Sequence, residues 1–474
     1  MQFAMKPATG GVPLAVAAAL VGYAIFLFAP QVLNDGDTFW HIRTGEWILS
    51  HHAVPWVDSF SYTFTGKPWL AHEWLSEVLL AVAYRGLGWD GIVVLCGAAT
   101  ALAFGMMAIH LSRWTDRLPA ALLLFIGAAC VGPSLLARPH ILALPMLELW
   151  TAGLLIARSQ GRAPSLWLLP VMVIWANLHG SFVFGLGLAL ALGLEAVSEA
   201  AGNWRPVVRG WGIFVVAAIV VTLATPYGWR GLAFPFELMR MKQLSNIGEW
   251  QPMNFHSVQP LEIGLMAVLY VSWTRGVRVP EVRALILLGL LFLALEHTRH
   301  QMLAGVVGAL LLAEPIGRAF ASEAAVRRGR PWVWAAGGLL VVLALTGLRV
   351  ERPEVRKDEI AGALAHVPGD VLRAPVFNEY GLGPNLIFDG VRPFIDSRAE
   401  LYGDDFLVSY SGIMRPDREA FLRMADRYRV RWTILTPASP LVDMLDNLLG
   451  WRRIYTDQGV VVHVRTASGG SNQN

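Results

Sequence analysis

Charge is what this chain has least of. Asp, Glu, Lys and Arg make up 15% of its 474 residues, against ~25% in an ordinary soluble domain. With 55% hydrophobic residues, the sequence excludes a globule in water and reads as a polytopic membrane protein. Cysteine is nearly absent too. Cys96 and Cys130 each lie inside an apolar segment, which reads as two buried thiols rather than a disulfide, and no Cys cluster offers a metal site. The net charge of +3 comes without a basic run, so the electrostatic footprint of a nucleic-acid binder is missing. No internal repeat is visible, although transporters often carry one.

What is abundant is apolar sequence close to membrane-spanning length, ~17–25 residues per helix. Candidate spans are 12–29, 91–111, 118–136, 141–157, 166–176, 182–197, 211–224, 261–273, 284–295, 302–313 and 332–348, about eleven helices in all. The first follows Lys6 and exceeds the ~7–15 residue core of a signal peptide, so it reads as a retained anchor. Under this count, loops 112–117, 158–162, 203–209, 275–283 and 327–330 share one side with the N-terminus. Their charges are almost all Arg, which makes that side cytoplasmic by the positive-inside bias.

The opposite face collects five polar insertions: the loop 34–77, Arg138-Pro139-His140, 177–180, 225–256 and 296–300. Any one of these residues reads equally as a head-group anchor. Five insertions on a single face point instead to a site, because anchors are needed on both faces. The loop 34–77 is the richest, with three Asp, five His or Arg and five Trp. Asp35 and Asp37 can present two carboxylates to one cation, set a base beside an acceptor hydroxyl, or cap an interfacial helix. His41, His72 and Glu73, with His51 and His52, are the further candidates there. A magnesium or manganese ion held by Asp35, Asp37 and a substrate phosphate, and a metal-free site, both remain open.

Arg138, His140, His179, Arg299 and His300 suit a phosphate leaving group, whose charge grows as its bond breaks. Attraction to ordinary phospholipids is the plainer account of the two arginines. Tyr227, Arg230 and Glu249 sit in an outer loop long enough to act as a flap over substrate. Past 348 the composition changes. Helical spacing at 355–366 and 415–428, with strand-like runs at 432–435 and 460–464, predicts a small α/β domain. Asp396 and Arg398 read there as a structural pair, and 467–474 as a disordered tail. The expected division is therefore a transmembrane domain 1–349 carrying the outer loop 31–77, an extracytoplasmic domain 350–466, and the tail 467–474.

A first span, an outer loop bearing DGD, many further spans and a small outer C-terminal domain resemble the GT-C superfamily of membrane glycosyltransferases. More narrowly, DTFWHIRTGEWI, VPWVDSFSYT, HEWLSE, ARPH, NLHG and FIDSRAELYG resemble a group of bacterial glycosyltransferase-like membrane proteins, over nearly the whole chain. The resemblance implies a bacterial inner-membrane enzyme with a periplasmic C-terminal domain. It would move a sugar, with inversion, from a polyprenyl-phosphate or -diphosphate donor to a glycan, lipid or protein acceptor on the outer face. By position, Asp37 would be the general base and Asp35 its alternative or a metal ligand. An aspartate at its reference pKa of ~3.9 is a weak base, so orientation and leaving-group stabilisation must contribute most. The chain lacks a WWDYG-type motif, which departs from the oligosaccharyltransferases and weighs against a peptide acceptor. Two rivals stand beside this reading: a non-enzymatic transporter or assembly partner for lipid-linked glycans, and a surface-polysaccharide polymerase or ligase that relies on Arg and His.

Overall fold

A computed structural model of the chain describes residues 8–200, 202–320, 331–351 and 360–466. The apolar runs are helical, as they must be where no water is present to satisfy backbone N–H and C=O groups. All eleven expected segments fold this way: α1 (Val12–Phe28), then, after α2 (Asp37–His51), α3 (Trp74–Trp114), α4 (Arg117–Val131), α5 (Pro139–Ser159), α6 (Leu169–Leu178), α7 (Phe182–Ser198) and α8 (Trp204–Val221). After the short α9 (Trp229–Leu238) come α10 (Pro260–Arg275), α11 (Glu281–Glu296), α12 (Gln301–Ala319) and α13 (Pro331–Glu351). Among the described residues six helices, those at Trp74–Trp114, Arg117–Ser134, Pro139–Ser159, Trp204–Val221, Thr298–Ala319 and Pro331–Val350, are long and apolar enough to cross a membrane. The protein is a membrane protein, and six of the eleven helices meet this length criterion. The other segments form helices of 10 to 17 residues, short of the ~20 that a ~30 Å core requires.

Contacts divide the chain into two compact units. The first holds α1, α3 beyond Val82, α4 to α8 and α10 to α13. Within it α4 packs on α12, α1 on α13, α11 on α12, and α5 on both α6 and α7. Small residues let α4 and α12 approach closely: a Cβ added at Gly305 would stand 2.3 Å from the Cβ of Cys130 and 3.2 Å from the carbonyl of Gly127. Both cysteines are buried free thiols, as expected. Helix α3 breaks at Gly88, whose φ of +59° and ψ of −140° are open to glycine alone. Just past the break, Asp90 accepts a hydrogen bond from buried Arg349 Nε at 2.8 Å.

The second unit joins residues 35–82 and 237–244 to the described C-terminal residues 360–466, a grouping that crosses the expected boundary at 349/350. Hydrogen bonds explain it. Tyr62 Oη donates to Val376 O at 3.0 Å, Thr63 Oγ1 to Phe394 O at 2.6 Å and Arg43 Nε to Phe388 O at 2.6 Å. The sheet has β1 (Val376–Asn378), β2 (Trp432–Leu435), β3 (Trp451–Thr456) and β4 (Val461–Arg465) in the order β1-β2-β4-β3, with only β1–β2 parallel. Strands β2 and β4 fall where expected; β1 is too short and β3 too charged to show as apolar runs. Trp432, Ile434, Val462 and Ile360 fill the core beneath the sheet. The helices of this unit are α14 (Ala361–Leu364), α15 (Gly369–Leu372), α16 (Gly383–Phe388), α17 (Ala399–Ile413), α18 (Arg418–Arg427) and α19 (Pro440–Asp446). Of these, α18 was expected and starts on a cap in which Asp417 accepts the Ala420 N–H. The expected loop 327–330, the tail 467–474 and the start of the 355–366 helix lie outside the described residues.

Candidate functional site

In the first unit, four turns that are distant in sequence converge on Glu249. Its two carboxylate oxygens each accept a guanidinium N–H, from Arg138 Nη1 and from Arg299 Nη1, both at 3.1 Å. Arg299 also lies 4.3 Å above the Trp250 ring, and Thr298 Oγ1 donates to Glu249 O at 3.1 Å. Burial works to raise the Glu249 carboxyl, but Arg138 and Arg299, with smaller contributions from His140 and His179, outweigh it and lower its pKa to about 2. Glu249 is therefore ionised, and with its two arginines carries a net charge of +1. These side chains stay within reach of solvent: Arg138 is 19% exposed, Arg299 26% and Glu249 32%.

The histidines of these turns differ in what they can donate. His179 Nδ1 accepts the Ser181 backbone N–H at 3.1 Å, which leaves the ring proton on Nε2 as a donor. His140 Nε2 lies 2.6 Å from Ser134 O and His300 Nδ1 3.4 Å from Leu293 O, so in the neutral tautomers these nitrogens donate to backbone. As phosphate donors, the role foreseen for all five, Arg138, Arg299 and His179 fit best. His140 and His179 nonetheless face each other at 6.2 Å between ring centres. His297, passed over in the sequence although it lies in the same turn as Arg299, donates through Nδ1 to Trp250 O at 2.7 Å and packs 5.5 Å from His300. Of the other outer-loop residues, Tyr227 is buried ahead of α9 and Arg230 lies 5.9 Å over the Trp229 ring.

The second unit carries the acidic set. Asp35 Oδ1 accepts the Asp37 N–H at 2.7 Å, so Asp35 is the residue that ties down the start of α2, while Asp37 opens the helix as its first residue. A carboxylate there is favoured by the positive end of the helix. One turn along, His41 is buried with Nδ1 3.4 Å from Glu77 Oε1 and Nε2 3.7 Å from Glu73 Oε2. His72 Nε2 lies 3.5 Å from the other oxygen of Glu73. Burial pushes the His72 imidazole down, yet Glu73 outweighs it and leaves its pKa raised. Glu77 Oε2 is buried without a hydrogen-bond partner. Sequence reasoning missed Glu77, although its place four residues after Glu73, in the first turn of α3, was a usable signal.

Beside them Arg398, fully buried, is bidentate to Asp396 at 2.8 and 2.7 Å and reaches Asp58 Oδ1 at 2.9 Å. Tyr402 Oη donates to the same Asp396 at 2.7 Å. The expected structural pair thus has Asp58 of the outer loop as a further partner.

No protein-family model matches the chain, and no curated protein sequence does. Solved structures do. ArnT from Cupriavidus metallidurans bound to undecaprenyl phosphate superposes with a TM-score of 0.52 at 14% identity, over 98% of this chain and 99% of that one. The apo state of the same protein gives 0.54 at 15% identity, over the same shares. The Archaeoglobus fulgidus oligosaccharyltransferase in its apo form gives 0.53 at 12% identity, over 89% of this chain and 69% of that one. The fold is GT-C.

Among the described residues, no three His, Cys, Asp or Glu side chains are placed to share an ion. Asp35 and Asp37 amount to two ligands, one of them already accepting a backbone N–H. No step below is routed through a metal.

Proposed function

We propose that this GT-C protein is an inverting glycosyltransferase that takes a sugar from a polyprenyl-phosphate or -diphosphate donor to an acceptor hydroxyl. The Arg138–Glu249–Arg299 cluster carries the reading: two partly exposed guanidiniums held together on one carboxylate. In the proposed reaction the acceptor oxygen attacks the anomeric carbon and the bond from that carbon to the phosphate oxygen breaks. The phosphate leaves with the electron pair. Arg138 and Arg299 stabilise the charge that grows on it, as preorganised donors do most effectively, and His179 adds a neutral donor. The acceptor proton passes to a carboxylate; the resemblance offers Asp37 for that role, with Asp35 tying down the start of its helix.

Arg-bearing loops at the far ends of the same helices favour, by the positive-inside bias, the reading that this cluster faces the non-cytoplasmic side of a bacterial inner membrane. The neighbour bound to undecaprenyl phosphate favours a donor of that chemical class. The test compares Asp37→Asn with Arg299→Ala, using a polyprenyl-phosphate-linked sugar and checking that each variant inserts and folds. Asp37→Asn should lower transfer about 100- to 10,000-fold with donor binding kept. Wild-type turnover in that variant removes Asp37 from the mechanism, and unchanged donor binding in Arg299→Ala removes the phosphate role. Donor binding without transfer in the wild-type protein would favour the transporter or assembly role.

A further inference from the structure

The helices α5, α7, α11 and α12 that carry Arg138, His179, His297 and Arg299 at or just beyond one end gather a second set of charges at the other. Along α5 the two ends are ~30 Å apart. A cavity of about 540 Å³ opens at this second end, within the ~300–1,000 Å³ typical of small-ligand sites. Its floor is a row of alternating charges. Arg158 pairs with Glu199 at 2.9 Å and Glu195 at 3.0 Å, Arg283 with Glu195 at 3.1 Å and Glu314 at 3.0 Å, and Arg318 closes the row on Glu314. Three arginines meet three glutamates, so the row is neutral overall.

Two further arginines line the cavity outside that balance. Arg162 donates to Gln160 Oε1 and Ala163 O, both uncharged, and Arg278 has no ion-pair partner among the described residues. Both are exposed, and among the described residues neither is paired with a carboxylate, so the lining carries two positive charges beyond the row. The apolar wall comes from Pro206, Val207 and Trp211 at the start of α8. The same helix exposes Val208, Ile213 and Val216 along its flank, an apolar surface suited to acyl chains. A ligand bound here can therefore be both anionic at its head and apolar along its body.

We propose that this cavity holds the phosphodiester head group of an anionic membrane phospholipid, with Arg162 and Arg278 as its counter-charges and the ion-pair row as its fixed floor. The site is separate from the glycosyl-transfer reading and stands or falls without it. Basic pockets between membrane helices recognise anionic head groups in this way.

The experiment uses the full-length protein in lipid-free detergent, titrated with short-chain phosphatidylglycerol and, separately, phosphatidylcholine, and read by native mass spectrometry and by thermal shift. Phosphatidylglycerol should bind and raise the melting temperature more than phosphatidylcholine. The double variant Arg162→Ala/Arg278→Ala should lose about tenfold in phosphatidylglycerol affinity while melting like the wild type before lipid is added. Arg278→Gln alone should show part of the same loss, and decides the matter if the double variant is not recovered folded. Removing the same charge at Arg205→Ala/Arg209→Ala, on the first turns of α8, should leave affinity intact. Unchanged affinity in the cavity variants overturns the proposal. So does an equal loss in the control pair, which would mean general surface attraction, or displacement of the lipid by equimolar inorganic phosphate, which would mean a site for a free anion.

Discussion

Arg398 in one unit and the Arg138–Arg299 pair in the other are built from the same two chemical groups and do opposite things. Arg398 has two carboxylates for one guanidinium, and its side chain and both partners are closed from water. Arg138 and Arg299 share one carboxylate between two guanidiniums and stay partly exposed. The number of charges of each sign, together with access, separates a fastening from a receptor. Where carboxylates outnumber guanidiniums and the space is sealed, no anion has a reason to enter. Where guanidiniums share one carboxylate and stay open, as at Arg138 and Arg299, the proposed phosphate would have donors to meet.

This contrast breaks most readily at Arg398. Arg398→Leu leaves Asp58 and Asp396 buried without their cation and should destabilise the second unit by ~3–5 kcal/mol, read by denaturant unfolding in detergent. A fall below ~1 kcal/mol would show that the sealed cluster is no fastening. Arg138→Ala should act the other way, leaving unfolding nearly unchanged while lowering transfer about 100- to 1,000-fold. Glu249→Gln sharpens the point: it raises the surplus charge from +1 to +2, so donor-phosphate binding should tighten about two- to fivefold. Weaker binding in that variant would mean that Glu249 itself positions the donor.

Acid tests the same residue without mutation. The Glu249 carboxyl is lowered in the folded protein from 4.5 to about 2, so its contribution is fully present above about pH 4.5 and is lost as pH falls towards about 2. Unfolding stability measured from about pH 4.5 down towards about 2 should fall in the wild type, and this part of the fall should be missing in Glu249→Gln. The smallest effect belongs to an exposed pair, Asp446 with Arg453 on β3, where Asp446→Asn should cost less than ~1 kcal/mol by thermal unfolding.

Much of this was legible in the residues because helix parity is arithmetic. Counting eleven apolar segments was enough to put Arg138, His179 and Arg299 at the same end of the bundle and Arg158, Arg278 and Arg283 at the other. Pairing was not legible. Nothing in the sequence singles out Glu249 among the acids as the partner of both guanidiniums, because that choice depends on distances set by packing. Asp58 in its loop reads identically whether it caps a turn or meets Arg398, 340 positions away. Strand β3 failed for another reason: Arg452 and Arg453 stand at adjacent positions of an edge strand, and the apolar pattern that marks a buried strand is absent there.

The break in α3 at Gly88 has a practical corollary for anyone engineering this chain. A helix of this length invites substitution of its glycines by alanine, which ordinarily favours helix by ~1 kcal/mol. At Gly88 the sign reverses, since an L-residue with a side chain cannot hold that backbone geometry without strain. A stabilisation campaign guided by helix propensity alone would treat this position like the other glycines of α3 and would lose by it.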